Sequence, residues 1–225
     1  MEYFLDTADL AEIEKAARAL PITGVTTNPS IIKKAGAEDF FGHLKKIQAI
    51  IGEDKYLHVQ AVAETAEGMV EDAKRIVAEL GDHVYVKIPT TAEGLAAMKA
   101  LKKMGIGVTA TVVYTKAQAF LAMEAGADYI APYFNRMENM GINSDDVISS
   151  MAGVIAMNDY NTKILAASFK NAGQVNRAIE LGAQSITADP AILMDAIGAI
   201  AITDAVDTFL KDWKSLYGDK TIAEM

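Results

Sequence analysis

Short apolar runs alternate with longer segments of helical periodicity from one end of the chain to the other. The runs consist mostly of Val, Ile, Ala and Thr, and most are apolar at both even and odd positions. That pattern is typical of parallel strands covered on both faces, so each run predicts a buried strand. The eight predicted strands are YFLD (3–6), ITGVTT (22–27), LHVQAV (57–62), VYVKIP (84–89), GVTATVV (107–113), DYIAPYF (128–134), KILAAS (163–168) and SITAD (185–189).

The segments between these runs have the spacing of amphipathic helices. Met69, Ala73 and Ile76, for example, recur at steps of four and three and so share one helix face. Several segments begin near a Thr that can cap a helix, and several end at a Gly. The predicted helices cover 9–20, 36–51, 65–80, 91–104, 116–126, 145–159 and 172–182, with two more after the eighth strand at 190–200 and 203–218.

Eight strands alternating with helices predict an α/β protein with a (β/α)8 TIM barrel and an extra C-terminal helix. No Pro-, Ser- or Gly-rich linker divides the chain, so residues 1–225 are expected to form a single barrel domain. A doubly wound open sheet is the alternative architecture. The first predicted strand is not followed by the G-x-G-x-x-G turn of a dinucleotide-binding fold, which favours the barrel.

Composition and charge narrow the class of protein further. With 51% hydrophobic and 23% charged residues, the chain can bury a sizeable core, and it has no cysteine. No uncharged apolar stretch is long enough for a membrane span, and the acidic N-terminus is unlike a signal peptide, so we expect a cytoplasmic protein. The formal charge of −9 disfavours nucleic acid as a partner. An anionic small molecule would need a local basic pocket.

Lys87 is the most unusual residue of the predicted strands, because it lies near the end of the apolar run VYVKIP. Lysines in strands are commonly exposed at sheet edges, but a closed barrel has no edge. Burial lowers the pKa of a lysine, and a neutral lysine can attack a carbonyl to form a Schiff base. This chemistry requires neither a metal nor a cofactor, and we expect none here.

Polar residues end nearly every predicted strand, at the side of a barrel where active sites form. Asp6 fits either a contact to a substrate hydroxyl or the cap of the first helix. Tyr133 is suited to proton exchange or to packing, and Gln60 with Thr111 to holding a water molecule or to satisfying polar groups in the core. Thr26 and Asn28 are candidates for substrate binding. The strand-end residues are Asp6, Thr26, Asn28, Gln60, Lys87, Thr111, Tyr133, Arg136, Ser168 and Asp189, of which Asp189 is expected to cap a helix.

A second group suggests an anion site near the seventh strand. Ser168 and Lys170 directly precede a helix whose free N–H groups attract phosphate, and Arg136 offers a guanidinium fork that matches phosphate oxygens. Barrels commonly bind phosphate after strands seven and eight. Lys170 fits a solvated surface position equally well.

Two other kinds of chemistry have weak support. His43, His58 and His83 are scattered without ligand spacing, which disfavours a metal site. Ser168 lies in A-A-S-F-K rather than G-x-S-x-G, which disfavours a hydrolase elbow.

Seven stretches of the chain, taken in order, resemble the small transaldolases and fructose-6-phosphate aldolases, which are class I aldolases on an α/β barrel. The resemblance implies that Lys87 forms the Schiff base, that Asp6 assists at the donor hydroxyls and that Asn28 binds the donor. It also implies that Arg136 and Ser168 contact the phosphate of the acceptor. The stretches are FLDTAD (4–9), GVTTNPSII (24–32), AETAEGM (63–69), VKIPTTAEGL (86–95), TATVVY (109–114), APYFNR (131–136) and AASFK (166–170).

Two residues favour the aldolase branch of this family. Transaldolases typically carry Glu on the third strand and Phe on the sixth, whereas this chain has Gln60 and Tyr133. Membership of this branch implies that Tyr133 acts as the acid and base. It also implies that the protein cleaves fructose 6-phosphate to dihydroxyacetone and glyceraldehyde 3-phosphate. A transaldolase that transfers a dihydroxyacetone unit, and a barrel that only binds sugar phosphate, are the alternatives.

The resemblance also implies a homo-oligomer, a pentamer or a doubled pentamer. In such an assembly the C-terminal helix, residues 203–217, packs on a neighbouring subunit. Its amphipathic pattern around Trp213 agrees with that role and equally with a lid within one chain.

Overall fold

Eight parallel strands close into a barrel in chain order, which confirms the predicted (β/α)8 TIM barrel. The computed structural model describes residues 1–225. Each strand pairs with the next, and the eighth pairs with the first through Phe4 and Thr187. The strands are β1 (Glu2–Asp6), β2 (Gly24–Thr26), β3 (Tyr56–Gln60), β4 (Val84–Pro89), β5 (Gly107–Val113), β6 (Tyr129–Pro132), β7 (Lys163–Ala166) and β8 (Ser185–Ala188).

Eleven helices surround or extend the barrel, and side-chain caps fix where most of them begin. Thr65 and Thr91, for example, each accept a hydrogen bond from the backbone N–H three residues later, at 3.1 Å. The helices are α1 (Leu10–Ala19), α2 (Pro29–Lys34), α3 (Phe40–Ile51), α4 (Ala66–Leu80), α5 (Ala92–Lys103), α6 (Lys116–Glu124), α7 (Phe134–Asn139), α8 (Ser144–Asn158), α9 (Ala172–Glu180), α10 (Pro190–Ile197) and α11 (Ile200–Tyr217). A short 3₁₀ turn, Ile222–Glu224, follows α11.

The short helices α2 and α7 were not predicted, and both follow strands that end earlier than expected. The predicted strand 22–27 is reduced to Gly24–Thr26, because Asn28 caps α2 by accepting from the N–H of Ile31 at 3.0 Å. The predicted strand 128–134 stops at Pro132 and α7 begins at Phe134, although the N–H of Tyr133 still donates to the carbonyl of Val113 at 3.1 Å. The predicted helix 36–51 begins only at Phe40.

Alternate residues of each strand pack into two different cores. In β4, Val84, Val86 and Ile88 belong to the main core of 46 buried residues between the sheet and the helices. Tyr85 packs instead against the small aromatic cluster inside the barrel, and Lys87 has the same parity as Tyr85. The strand sequence is apolar at both parities because both of its faces are covered.

The amino-terminal half of the barrel interior is filled by a cluster that we call the lower interior. His58 lies near its centre, with ring centroids 4.8 Å from Phe4, 4.9 Å from Tyr85 and 5.1 Å from Tyr129. Below it, Glu2 accepts from the Tyr129 hydroxyl at 3.0 Å and from Lys163 Nζ at 2.5 Å. The lower interior comprises Glu2, Phe4, His58, Tyr85, Thr109, Tyr129 and Lys163.

The last helix, α11, has no buried residue. Its large apolar side chains are exposed, including Phe209 at 71% and Leu216 at 74%. None of the helices combines the length and hydrophobicity of a membrane span.

Candidate active site

The carboxyl ends of the strands surround a polar cavity of about 310 Å³, which we call the Lys87 cavity. Strands, loops and helices from several parts of the chain contribute to its wall. The predicted site residues that line it are Asp6, Asn28, Lys87, Tyr133, Arg136, Ser168 and Lys170. The structure therefore gathers into one space residues that are up to 164 positions apart, from Asp6 to Lys170.

Lys87 is buried at 5% exposure, near the carboxyl end of β4. Its Nζ donates a 2.7 Å hydrogen bond to the main-chain carbonyl of Thr27. Burial lowers the pKa of Lys87 below its ordinary value, and the negative charge of Asp6 partly opposes that effect. The amine is therefore easier to deprotonate than an exposed lysine, as a carbonyl-directed nucleophile requires.

Asp6 faces this cavity and does not cap the first helix. The cap of α1 is Asp9, which accepts from the backbone N–H groups of Ala11 and Glu12. Asp6 instead accepts a hydrogen bond from Thr26 Oγ1 at 2.7 Å, which holds the carboxylate in position. Burial raises the pKa of Asp6, while the charge of Lys87 and the bond from Thr26 lower it. Thr26 itself is fully buried and shapes the site through Asp6 rather than by lining the cavity.

Tyr133 stands at the junction between β6 and α7, where its hydroxyl lies 2.9 Å from Thr111 Oγ1. The guanidinium of Arg136 stacks over the ring at 4.7 Å. Burial raises the pKa of Tyr133, although the bond to Thr111 and the charge of Arg136 act in the opposite direction. The phenol is therefore protonated near neutral pH and can donate a proton to a reacting atom.

Thr111 is brought to Tyr133 by an irregular stretch of β5. The register between β5 and β6 shifts between Ala110 and Val113, and Val112 has a φ of 60°. A β-branched residue rarely adopts this left-handed conformation. The Val112 carbonyl accepts from Gln118 Nε2 at 3.1 Å, which holds the irregular turn in place.

Gln60 forms no hydrogen bond with Thr111 or Tyr133. Strand register sets it beside Lys87, but it lines a neighbouring cavity of about 480 Å³ between α2, α3 and α4. Its side chain forms no hydrogen bond within the chain, whereas Thr111 bonds Tyr133. Thr111 and Tyr133 are therefore joined by a hydrogen bond in which Gln60 takes no part.

The predicted anion-binding residues lie at one side of the cavity mouth. Ser168 has a φ of 65°, and its carbonyl accepts from the N–H of Asn135 at 3.0 Å, which joins the loop after β7 to α7. Arg136 on α7 and Lys170 before α9 both line the cavity and are exposed. The main-chain N–H of Lys170 donates to Gln174 Oε1 at 2.8 Å, and its side chain forms no ion pair. Three donors to an anion therefore line the same cavity.

Two further lining residues, Ser30 and Lys34, come from α2 and were missed in the sequence. A signal for this helix was present, because Asn28 is a strong N-cap residue and Pro29 is favoured at the first helical position. Ser30 and Lys34 are four positions apart and so share a helix face. Asp189 also lines the cavity and caps α10 by accepting from the Ala191 N–H, as predicted.

The three histidines lie far from one another in the fold. His43 Nε2 is 2.7 Å from the carbonyl of Ala8, His58 is inside the barrel, and His83 stacks on Tyr56 at 5.5 Å. No group of three or more His, Cys, Asp or Glu side chains is arranged to hold a metal ion.

Comparison with known proteins extends the similarity beyond the cavity to nearly the whole chain. Residues 3–220 match the family model described as transaldolase/fructose-6-phosphate aldolase. The chain is 45% identical over 222 residues to a probable fructose-6-phosphate aldolase of Streptococcus pneumoniae, covering 99% of this chain and 100% of that protein.

Among solved structures, inosine 5′-monophosphate dehydrogenase from Legionella pneumophila superposes with a TM-score of 0.61 at 14% identity. The match covers 85% of this chain and 58% of that one. At such low identity the likeness supports only the barrel fold.

Proposed function

The chain belongs to the transaldolase/fructose-6-phosphate aldolase family, and we propose that it is a class I aldolase acting on fructose 6-phosphate. The products of cleavage are dihydroxyacetone and glyceraldehyde 3-phosphate, and the reverse reaction joins them. One observation carries the proposal. Lys87 is buried and has no paired carboxylate, and it borders a polar cavity of the size of a small sugar phosphate.

The proposed reaction conserves electrons and needs no redox partner. The neutral amine of Lys87 adds to C2 of the ketose, and loss of water gives an iminium ion. The C4 hydroxyl then passes its proton to a water molecule in the cavity and the C3–C4 bond breaks, with the electron pair moving to the nitrogen as an enamine. Glyceraldehyde 3-phosphate leaves, C3 takes up a proton, and hydrolysis releases dihydroxyacetone and the free lysine.

The proton steps are proposed for Tyr133. Its half-buried phenol can donate to C3 of the enamine, and its contact with Thr111 offers a route by which the proton is replaced. Asp6 and Asn28 are proposed to hold the hydroxyls of the dihydroxyacetone part, with Thr26 orienting Asp6. Gln60 remains a prediction as a water ligand, because it lines the neighbouring cavity.

The phosphate end of the substrate is proposed to lie at the mouth, against Arg136, Ser168 and Lys170. Their guanidinium, hydroxyl and ammonium groups supply charge-assisted hydrogen bonds to phosphate oxygens. Since the chain as a whole carries a formal charge of −9, this local group is what would attract an anion.

Two experiments test the proposal. Borohydride reduction in the presence of dihydroxyacetone should add the mass of the reduced ligand to Lys87, and Lys87→Met provides the control. If the wild-type protein forms no adduct, the alternative of a barrel that only binds sugar phosphate is favoured.

A coupled assay then separates aldolase from transaldolase. We expect free dihydroxyacetone from fructose 6-phosphate alone, because a phenol at position 133 and an amide at position 60 stand where transaldolases resembling this chain carry Phe and Glu. The name given to the Streptococcus pneumoniae relative supports the same branch. Release that requires an added acceptor aldehyde would mark a transaldolase.

We further propose that the chain is one barrel domain whose C-terminal helix, 203–217, packs on a neighbouring subunit of a homo-oligomer. The exposed Phe209 and Leu216 of α11 support this arrangement. Light scattering should give the mass of several chains, and a double change of these residues to Glu should reduce it.

A further inference from the structure

The two consecutive lysines of α2 line different cavities. Lys34 lines the Lys87 cavity together with Ser30, whereas Lys33 lines the neighbouring cavity. Adjacent residues of a helix are turned by about 100° from each other, which explains the separation. Both lysines lie in the last turn of α2, so both have the same interaction with the helix dipole. They differ in the cavity that they line.

Lys34 forms no ion pair, although three acidic residues, Asp6, Asp9 and Glu12, share a small adjoining cavity with it. Asp9 accepts from the N–H groups of Ala11 and Glu12 at 2.9 and 3.0 Å, and so caps α1. Glu12 accepts from Thr7 Oγ1 at 3.0 Å. Asp6 accepts from Thr26 Oγ1 at 2.7 Å. None of the three carboxylates forms an ion pair with Lys34, so its positive charge is available to a ligand.

The position of Lys34 complements the anion-binding residues already described. Arg136 and Lys170 stand beside β6 and β7, whereas Lys34 reaches the cavity from the segment after β2. In the barrel order, β8 and β1 lie between these two sides. An anion at the mouth would therefore meet cations from two directions instead of one.

We infer that Lys34 is a further phosphate-binding residue, which contacts the phosphate of the acceptor aldehyde and sets the preference for phosphorylated over unphosphorylated acceptors. The inference rests on the proposed aldolase function for its substrate. A flexible ammonium suits this position, since it can follow a phosphate as a point charge without the fixed geometry of a guanidinium.

The first test measures a ratio of specificity constants in the synthetic direction. Dihydroxyacetone is added to D-glyceraldehyde 3-phosphate or to D-glyceraldehyde, and kcat/KM with the first acceptor is divided by kcat/KM with the second. We expect Lys34→Gln to lower this ratio about fivefold and Lys33→Gln to change it less than twofold. Because active-site concentration cancels in the ratio, partial misfolding does not imitate the effect.

The second test does not depend on catalysis. Isothermal titration of the full chain with inorganic phosphate should show a weaker Kd in Lys34→Gln than in the wild type, and an unaltered Kd in Lys33→Gln. Raised KCl should reduce the difference, as expected for a charge exposed to solvent.

The results separate the two proposals. If the wild type forms no borohydride adduct, the aldolase proposal fails, and the phosphate titration still decides whether Lys34 binds phosphate. An unchanged ratio in an active Lys34→Gln protein overturns the inference about Lys34, as does equal loss of phosphate affinity in both lysine variants.

Discussion

The two halves of the barrel interior use the same strands and similar polar residues, but only one half leaves its lysine unpaired. In the lower interior, Lys163 is paired with Glu2 at 2.5 Å, and Tyr129 is a second partner of that carboxylate. At the carboxyl end, Lys87 donates to a carbonyl at 2.7 Å, and Asp6 acts on it only through its charge. One lysine is held in an ion pair, whereas the other has no carboxylate partner and a lowered pKa.

The two halves also differ in packing, because one is filled with side chains and the other is open. Aromatic rings fill the lower interior, and Gly107 is required there because a Cβ at this position would lie 2.7 Å from the ring of Tyr85. At the carboxyl end the interior opens into the Lys87 cavity. The filled half stabilises the barrel, and the open half keeps a reactive group at a fixed position.

The largest effect is expected from Lys87→Met. Cleavage should fall by about 10⁴-fold or more, because the variant lacks the buried amine that is proposed to form the Schiff base. Stability should stay equal or rise, since an apolar side chain of similar volume replaces a buried ammonium without an ion pair. Steady-state kinetics and urea unfolding measure the two quantities.

The matched control is Lys163→Met. It should keep the activity and lose about 1 kcal/mol or less, because the Lys163–Glu2 pair is partly exposed. Comparable losses of activity in both lysine variants would contradict the functional difference between the two halves.

Tyr133→Phe should lower kcat for cleavage by about 10²-fold, since it removes one positioned proton donor. The Phe ring keeps the packing with Tyr114, whose centroid is 5.6 Å away, and the stacking of Arg136. The Schiff base should still form, and borohydride trapping would show this. A loss below threefold, about 0.7 kcal/mol, would exclude the proposed proton transfer.

Asp6→Asn should shift the pH profile as well as the rate. The Asp6 carboxylate raises the pKa of Lys87, so its removal lets that pKa fall further below the ordinary 10.5. The rising limb of kcat/KM against pH should therefore move to lower pH, alongside a loss of about tenfold from weaker donor binding. An unshifted limb would show that Lys87 does not titrate under the influence of Asp6.

The smallest effect, on stability alone, is expected from His58→Phe. Burial, with a contribution from the charge of Lys87, holds the pKa of His58 well below 6.5. The unfolded chain therefore binds a proton below about pH 6.5 that the folded chain does not bind. This difference removes about 1.4 kcal/mol of stability per pH unit as the pH falls.

The comparison of His58→Phe with the wild type isolates the contribution of this proton to the pH dependence of stability. Urea unfolding at pH 7.5 and 5.5 should show a smaller decrease in the variant than in the wild type. The variant also loses the 2.9 Å hydrogen bond between His58 Nδ1 and Thr109 Oγ1, which lowers the free energy of unfolding equally at both pH values. Equal decreases in the two proteins would mean that His58 is protonated in the folded state.

The fold could be predicted because each strand–helix unit of the barrel has the same local sequence pattern, an apolar run followed by an amphipathic segment. Thr91 and the apolar face of α5 mark the start and the buried side of that helix without reference to the rest of the chain. The errors fell on short elements. Residues 22–27 and 128–134 contain β-branched and aromatic residues that favour strands, but helices that begin at Pro29, after the cap at Asn28, and at Phe134 end those strands early.

The site was less predictable, because it depends on short helices and irregular backbone that the spacing of apolar and polar residues does not indicate. Lys34 was missed together with the helix that carries it. Gln60 is beside Lys87 in register, yet it lines the neighbouring cavity. The bond between Thr111 and Tyr133 depends on an irregular turn at Val112, and nothing in the composition of β5 indicates a left-handed valine.

The partner of Lys87 has a consequence for the evolution of the site. The acceptor is the main-chain carbonyl of Thr27, an atom that every amino acid supplies. A substitution of the side chain at position 27 therefore leaves the hydrogen bond in place, provided that the backbone keeps its path. The residues that line the cavity can therefore change to accept other carbonyl compounds while Lys87 keeps its position. A library that randomises those lining residues can test new substrates with the same chemistry.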